Sequence, residues 1–306
     1  MRGGHMSWVI NGDISKCFDR IPHEIIMKTI RERISCVRTL TLIERGLKAG
    51  IIDEKGKFIA TKVGTPQGSI LSPLLSNIVL EKLDKYIESL HGEMNIGKKR
   101  KANPLYLHYE NQRKYYKTRN PEIALEALKA MRKISNYDTV DPNYCRSLYL
   151  RYADDFVVIL ASDKKFAENL KEKIAIFLSQ ELGLELNDEK TTITNTREGF
   201  KFLGADIKRR NNTSIFNSYK GKAGNKVTRR STLRMAVDAP IKTIVNSLVT
   251  HKFARRNRLN TTLAKGRTDM IHLTHYDIIR FFNSKIHGLL NAYRFAGNFS
   301  ILSRVM

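Results

Sequence analysis

Cysteine is scarce in this chain: the 306 residues hold only three, Cys17, Cys36 and Cys145. Three widely spaced thiols cannot build a disulfide framework, so a stapled secreted scaffold is excluded and a reducing compartment fits. A membrane-spanning run is missing as well. The longest uncharged stretch, Val63 to Leu80, is broken by Gly64, Pro66, Gly68 and Pro73, which argues against a helix crossing a bilayer. Acidic residues are few, 30 against 54 Lys plus Arg, for a formal net charge of +24. Such a field draws a polyanion from a distance and resists neutral or cationic partners. Nucleic acid is the first candidate and an anionic membrane surface the second. A basic, solvated face without a ligand is the plain alternative.

The opening Met1 to Met6 reads as a cloning remnant, after which Ser7 enters a strand at once, as a fragment would. Trp8 to Ile14 predicts a short buried strand, with a helix beginning near Pro22. Ser72 as cap and Pro73 at the first helical position predict a second helix, whose Leu75, Val79, Leu83, Ile87 and Leu90 share one face. From about 91 to 148 the texture turns basic, Tyr-rich and irregular, and reads as an insertion. Two apolar strands then flank a pair of acids in Leu148-Tyr-Leu-Arg-Tyr-Ala-Asp-Asp-Phe-Val-Val-Ile-Leu160, a hairpin with charges at its turn. Asp163 caps a further helix with the stripe Phe166, Leu170, Ile174, Leu178 and Leu182, ended by Gly183. Strand-like pieces follow at Lys190 to Thr194 and Gly199 to Ile207. Lys208 to Arg267 holds sixteen Lys or Arg and one acid, Asp238. The last segment, with Ile279, Phe282, Ile286, Leu289 and Tyr293, predicts an amphipathic helix.

Adjacent Asp154 and Asp155 require explanation, because Phe156 to Leu160 is apolar enough to be buried and draws both acids toward a core. Like charges so placed raise each other's pKa unless a cation lies between them. A hard divalent ion bound through oxygen is the natural remedy. A third carboxylate, Asp13, ends the first strand in Val9-Ile-Asn-Gly-Asp-Ile-Ser-Lys-Cys-Phe-Asp19 and would meet Asp154 across a sheet. Three acids can hold two Mg²⁺ about 3.5 to 4 Å apart, one activating a 3′-hydroxyl and the other neutralising a triphosphate leaving group. Aspartates at turns are common, but this hairpin together with the upstream Asp-x4-Phe-Asp pattern is specific.

On these residues the chain resembles group II intron-encoded reverse transcriptases and maturases. Asp13 to Asp19 is similar to polymerase motif A, Gly64-Thr-Pro-Gln-Gly-Ser-Ile-Leu-Ser-Pro-Leu-Leu-Ser-Asn77 to motif B, and Tyr152-Ala-Asp-Asp155 to motif C. Leu184-Glu-Leu-Asn-Asp-Glu-Lys190 resembles motif D, and Phe202-Leu-Gly204 the primer-grip turn. Ala102-Asn-Pro104 with Asp141-Pro-Asn-Tyr144 resembles the organellar branch of the family, and Asn283-Ser-Lys-Ile-His-Gly-Leu-Leu-Asn-Ala-Tyr293 its thumb, the maturase-specific X domain. The resemblance implies an α+β right-hand polymerase palm, an antiparallel sheet with packed helices, over 7–207, with the basic insertion at about 91–148. A basic linker and helical thumb or X domain would follow over 208–306, short at its C-terminal end.

The resemblance also implies site roles. Asp13, Asp154 and Asp155 would be catalytic and, with Ile14, metal-binding, for two Mg²⁺ with Mn²⁺ able to substitute. Phe18 would face the incoming sugar and exclude a ribose 2′-hydroxyl, core packing being the alternative. Gln67 and Gly68 would sit in a turn where backbone approaches the nascent base pair. Lys190 would lie by the triphosphate and donate a proton to pyrophosphate, against the plain reading of a solvated lysine. Phe202, Leu203 and Gly204 would grip the primer; Arg229, Arg230, Arg234, Lys252, Arg255 and Arg256 would bind RNA. The H-x-x-H pair His272 and His275 lacks companions at zinc spacing, so the endonuclease often attached to this family is not expected here.

Family members carry fingers motifs upstream of motif A, with cations that grip the triphosphate; this chain starts too late for them, and activity of the fragment alone is in doubt. The expected partners are group II intron RNA, an RNA template with a DNA primer, and dNTPs, with no membrane and a homodimer as one allowed assembly. A mitochondrial location is favoured over bacterial cytoplasm. A splicing factor that keeps the fold as an RNA-binding module without catalysis is the rival, and an RNA-dependent RNA polymerase, opposed by bulky Phe18, a third reading.

Overall fold

The computed structural model describes residues 6–52, 58–59, 63–65, 69–138, 141–210, 216–220, 226–230, 235–257 and 261–306, with backbone alone for 51–52, 59, 216–220 and 226–230. The chain forms two compact units, His5–Asn195 and Thr196–Met306. It is an α+β protein whose strand pairings are all antiparallel among the described residues.

In the first unit the elements run β1 (Trp8–Asp13), α1 (Cys17–Arg20), α2 (His23–Arg31), α3 (Val37–Lys48), β2 (Ile51–Ile52), β3 (Phe58–Ile59), α4 (Ser72–Ser89) and α5 (His91–Met94). They continue with α6 (Pro104–Tyr116), α7 (Pro121–Lys133), β4 (Ser147–Tyr152), β5 (Asp155–Leu160), α8 (Lys164–Leu182) and β6 (Thr192–Asn195). The sheet has the order β4-β5-β1-β6. Alternate residues Phe156, Val158 and Leu160 of β5 join Ile10 of β1 in one buried core. That alternation follows from the two-residue period of a strand. Helices α2, α4 and α8 close the core with Ile26 and Ile30, with Leu75, Val79, Leu83 and Ile87, and with Leu170, Ile174, Leu178 and Leu182. Tyr86 and Phe177 stack between α4 and α8 at 4.1 Å and 5°. The stripes read from the sequence therefore face the core, Asp163 caps α8 by accepting from the Phe166 N–H at 3.1 Å, and Gly183 ends it at φ 60°.

Three expectations shift. Ser72 is not the cap of α4: Leu71 is already in the right-handed helical region, so the helix opens one residue earlier and Ser72 is buried inside it. The supposedly irregular insertion folds into helices α6 and α7. Each opens on an Asn-Pro pair: Asn103 accepts from the Leu105 N–H at 3.0 Å and Asn120 from the Glu122 N–H at 3.2 Å, with proline at a position whose missing N–H costs nothing. Asp141 ties the insertion's base by accepting from the Lys101 and Asn143 amides at 2.8 and 3.0 Å, so the Asn-Pro and Asp-Pro motifs lie together. Ile279 of the third expected stripe is 59% exposed.

The second unit holds β7 (Phe200–Phe202), β8 (Ala205–Arg209), β9 (Phe216–Lys220), β10 (Lys226–Arg230), β11 (Met235–Asp238), α9 (Ile241–Thr250), β12 (Ala254–Arg256), β13 (Thr262–Ala264), α10 (His275–Ala292) and α11 (Phe299–Val305). The segment read as a basic linker thus carries strands and a helix. A β11-β8-β7 sheet and the hairpins β9–β10 and β12–β13 account for the strands. A small core of Ala239, Ile244, Ala296 and Leu302 takes Leu289 from the C-terminal half of α10 and Tyr293 just past its end. The exposed Ile279 belongs to the helix's first turns, which contribute nothing to that core.

Gly12 of β1 is fixed by crowding: a Cβ there would stand 2.2 Å from the Phe156 ring, which is fully buried. Gly46 of α3 has no atom within 4 Å of such a Cβ. Gly12→Ala is expected to destabilise the fold by about 2 kcal/mol or more through overpacking, whereas Gly46→Ala should stabilise it by up to about 1 kcal/mol. Urea melts of the two variants check the pair; a neutral Gly12→Ala would show that the Phe156 ring can retreat.

Candidate active site

β1 and β5 bring the three acids together. Their register opposes Asp13 to Asp155, and β4 and β5 are joined by the two-residue turn Ala153–Asp154. Asp13 therefore meets Asp155 rather than Asp154, because the turn itself consumes Asp154. Ala153 adopts φ 55°, the left-handed conformation a tight hairpin turn demands. Ile14 leaves the strand into a bridge with Leu186 and is buried.

The segment resembling motif D wraps Asp13. The Asp13 N–H donates to Thr191 Oγ1 at 3.4 Å, and the Asp13 carbonyl accepts from the Asn187 N–H at 2.8 Å. Its carboxylate Oδ2 accepts from Asn187 Nδ2 at 3.1 Å and pairs with Lys190 Nζ at 3.1 Å. Lys190 is exposed, and the Asp13 hydrogen bond, followed by the Asp13 charge, raises its pKa. Asp155 is pushed above the usual carboxylate range by burial first, then by the charges of Asp154 and Asp13, with Lys190 opposing. Cys17, within motif A, is pushed up to about 12 by burial and then by Asp154. It is an inert core thiol.

Three carboxylates supply the oxygen donors that a hard divalent cation takes. Among the described residues no three His, Cys, Asp or Glu side chains close into a ready ligand cluster; Asp13 is instead turned toward Lys190. The donor chemistry thus fits a cation, which would compete with Lys190 for Asp13.

Phe18 is half-buried on α1, apart from the core side chains, and its carbonyl accepts from the Thr65 N–H at 2.6 Å. Gly64, at φ 79°, lies so close to Asp19 that a Cβ would meet its carbonyl oxygen at 2.4 Å, and its N–H donates to the Ile21 carbonyl at 2.8 Å. The motif B segment is thereby pinned onto motif A. Gln67 and Gly68 lie outside the described residues, as does Arg234.

In the second unit, Phe202 ends β7 and Leu203 and Gly204 form the turn of the β7–β8 hairpin. Leu203 and Gly204 have φ of 48° and 75°, and Leu203 is 53% exposed. Holding an exposed leucine in a left-handed conformation is strain of the kind that clusters at functional turns. Tyr293 donates its hydroxyl to the Gly204 carbonyl at 3.3 Å. Arg229 and Arg230 lie on β10. Lys252, Arg255 and Arg256 are exposed around β12, and Arg256 donates to Asn246 Oδ1.

Sequence reasoning overlooked the polar partners of these elements. Asn187 and Thr191 flank Asp13, and on the far side of the turn Arg151 grips Asp84 of α4. Arg151 was visible as a lone charge in an apolar strand, and Asp84 as an acid interrupting the run of α4.

Comparison with known proteins shows the family. The family described as "Reverse transcriptase (RNA-dependent DNA polymerase)" matches residues 2–109 and 122–207, and "Type II intron maturase" matches 232–306. The chain belongs to the group II intron-encoded reverse transcriptase and maturase family. It is 32% identical to the "Putative COX1/OXI3 intron 2 protein" of Saccharomyces cerevisiae over 97% of its length and 35% of the relative's. The "Group II intron-encoded protein LtrA" of Lactococcus lactis is 31% identical over 98% of this chain and 51% of its own. The chain thus spans a third to a half of these curated relatives. A telomerase structure from Candida albicans aligns distantly, with TM-score 0.42 and 14% identity over 82% of this chain and 36% of that one. The break in the reverse transcriptase match, 110–121, falls on the end of α6 and its link to α7.

The Asp84 carboxyl has a pH signature. Burial pushes it up, but hydrogen bonds from Arg151 and Tyr149 and the Arg151 charge outweigh that and hold it below the usual range. A folded-state pKa below the unfolded one contributes stability above the unfolded value and loses it as pH falls through the folded one. The Tm gap between parent and Asp84→Asn should be widest near neutrality and narrow below about pH 4. Thermal melts from pH 3 to 7 check this; a gap independent of pH would assign the loss to packing.

Proposed function

We propose that this family member is the palm and thumb of an RNA-directed DNA polymerase acting on a group II intron, with Asp13, Asp154 and Asp155 as its catalytic acids. The observation that carries the reading is the β1–β5 register, which sets Asp13 against Asp155 one residue from Asp154. The palm would span 7–207 with its insertion at about 91–148, and the basic linker and thumb 208–306. These acids, with Ile14 beside them, would hold two Mg²⁺, or Mn²⁺ in their place. When bound, the ions would lower the pKa of the primer 3′-hydroxyl and neutralise charge on the triphosphate. The chain's own contribution is positional: Asn187 and Thr191 orient Asp13, and Lys190 brings a cation to the same oxygen, where it can also meet a phosphate.

Phe18 would form the sugar wall, a role its partial exposure supports; Gln67 and Gly68 would lie under the nascent pair. Phe202, Leu203 and Gly204 would contact the primer. Arg229, Arg230, Arg234, Lys252, Arg255 and Arg256 would contact intron RNA and aid its splicing. RNA template, DNA primer and dNTPs are the proposed substrates, with a homodimer as one assembly. No helix among the described residues is long and apolar enough to cross a membrane. A mitochondrial setting is favoured over a bacterial cytoplasm by the Ala102-Asn-Pro104 and Asp141-Pro-Asn-Tyr144 resemblance to organellar members, although relatives of near-equal identity come from a yeast and a bacterium.

Primer extension on an RNA template by the complete intron-encoded protein tests the reading. Asp154→Asn or Asp155→Asn should lower extension by several orders of magnitude, with RNA affinity nearly unchanged, since a neutral amide is a poor ligand for a hard cation. Rates within about tenfold of the parent, a difference of about 1.4 kcal/mol, would remove the acids from the chemistry and favour a splicing factor without catalysis.

RNA affinity should fall steeply with salt. Lys252→Gln with Arg255→Gln should flatten the slope of log affinity against log salt by about one to two units if each side chain neutralises one phosphate. Titrations between low and moderate salt read it out, and an unchanged slope would move the RNA to another surface.

A further inference from the structure

The polymerase reading leaves one charged group unused. Arg151 sits on β4 among Leu148, Tyr149, Leu150 and Tyr152, with its side chain 11% exposed. All of its donors converge. Nε and Nη2 donate to Asp84 Oδ1 and Oδ2 at 2.7 and 2.6 Å, a forked pair, and Nη1 donates to Asn77 Oδ1 at 3.0 Å and to the Ala153 carbonyl at 2.9 Å. Tyr149 adds its hydroxyl to Asp84 Oδ1 at 2.7 Å. The Ala153 carbonyl is the informative acceptor. Ala153 is the first turn residue, it has a Cβ, and it is held at φ 55°, a conformation that a residue other than glycine does not adopt without support. The β4–β5 ladder fixes the strands up to Tyr152 and from Asp155. Between them the guanidinium holds the turn that carries Asp154.

Asn77 and Asp84 are seven residues apart on α4, two turns of one helix face. The helix follows the segment whose Gly64 and Thr65 are bonded to Ile21 and Phe18. One guanidinium therefore joins the acid-bearing turn to the helix behind the motif B segment.

We propose that Arg151 and Asp84 are positioning residues for Asp154 and Asp155, locking the turn to α4 so that the acids and the motif B segment keep a fixed relation. The proposal rests on the polymerase reading for its kinetic consequence alone; the turn-holding is a property of the fold. A salt bridge serving stability would need only the two charges. Orientation needs the planar fork, since an ammonium cannot reach both Asp84 oxygens, Asn77 and the Ala153 carbonyl together.

The test uses the complete intron-encoded enzyme with Arg151→Lys, Asp84→Asn and Tyr149→Phe, the last leaving the fork intact. For Arg151→Lys, kcat should fall about 30- to 100-fold while the dNTP KM and the RNA Kd stay within about threefold, the split expected for a lost transition-state geometry. Hydrogen exchange should quicken at the Ala153, Asp154 and Asp155 amides and stay slow in the middle of β1 and β5. Tyr149→Phe should remain within about threefold of the parent in kcat. Asp84→Asn should repeat the Arg151→Lys pattern, and the double variant should lose no more than the worse single one, as members of a unit do. The proposal is overturned if Arg151→Lys keeps its kcat, if exchange at the turn is unchanged, or if kcat, RNA affinity and Tm fall together. Asp155→Asn in parallel separates the two ideas. If it is inactive while Arg151→Lys is fully active, the positioning proposal fails and the polymerase reading stands; if it extends primers, the polymerase reading fails and exchange alone judges Arg151.

Discussion

Carboxylates facing one another across antiparallel strands impose the constraint on which the rest of the first unit depends. Asp13 and Asp155 are register partners, and Asp154 adds its charge one residue away. Such a group repels itself unless cationic or hydrogen-bonding neighbours are supplied. The fold supplies neighbours from two sides. Lys190 and Asn187 reach Asp13 from the segment before β6, while Arg151 stands behind the turn. Lys190 opposes the rise of the Asp155 pKa, which burial leads and the charges of Asp154 and Asp13 add to.

Close packing turns that chemistry into position. Phe156 follows Asp155 directly and lies over Gly12, which directly precedes Asp13. Any side chain at Gly12 would push β1 and β5 apart at the point where the acids meet. Gly64 is similarly confined by Asp19, and this brings the start of motif B against the helix that carries Phe18. Two glycines without side chains thus define distances between three separate stretches of sequence.

What could be read from the sequence follows the same division. Strand and helix stripes were legible because their periods belong to local sequence: Leu170, Ile174, Leu178 and Leu182 could hardly face anywhere but inward. The acids were legible because two charges against five apolar residues conflict with burial. The partner of Asp13 was not, since choosing Asp155 over Asp154 depends on how many residues the turn consumes. Nor were Asn187, Thr191 and Asp84, whose importance comes from positions distant in sequence. The insertion's helices could have been found from Asn103-Pro104 and Asn120-Pro121, where a capping side chain precedes a residue already set for the helix; the tyrosines and lysines around them masked that signal. For Gln67, Gly68 and Arg234 the sequence remains the only guide.

Charge is divided between the units in a way that matters for a polyanion. Residues 5–195 hold 31 Lys or Arg against 25 Asp or Glu, a net +6, while 196–306 hold 22 against 5, a net +17. The unit with the acids is thus the less positive one, although it is much the larger. Carboxylates that must stay ionised to attract a cation would repel a phosphate backbone at close range, so a strong positive field is best carried elsewhere in the chain. Screening limits exposed charges to about 8 to 10 Å at physiological salt, and distant lysines therefore cannot neutralise Asp13, Asp154 and Asp155. Only a cation within contact reach can do that. Lys190 meets the requirement for Asp13, its ammonium standing 3.1 Å from the carboxylate, and a divalent cation proposed for these acids would compete with it there. On the proposed reading, the local salt bridge and the basic segment 196–306 are two answers to one problem: drawing an anionic substrate to a site built from anions.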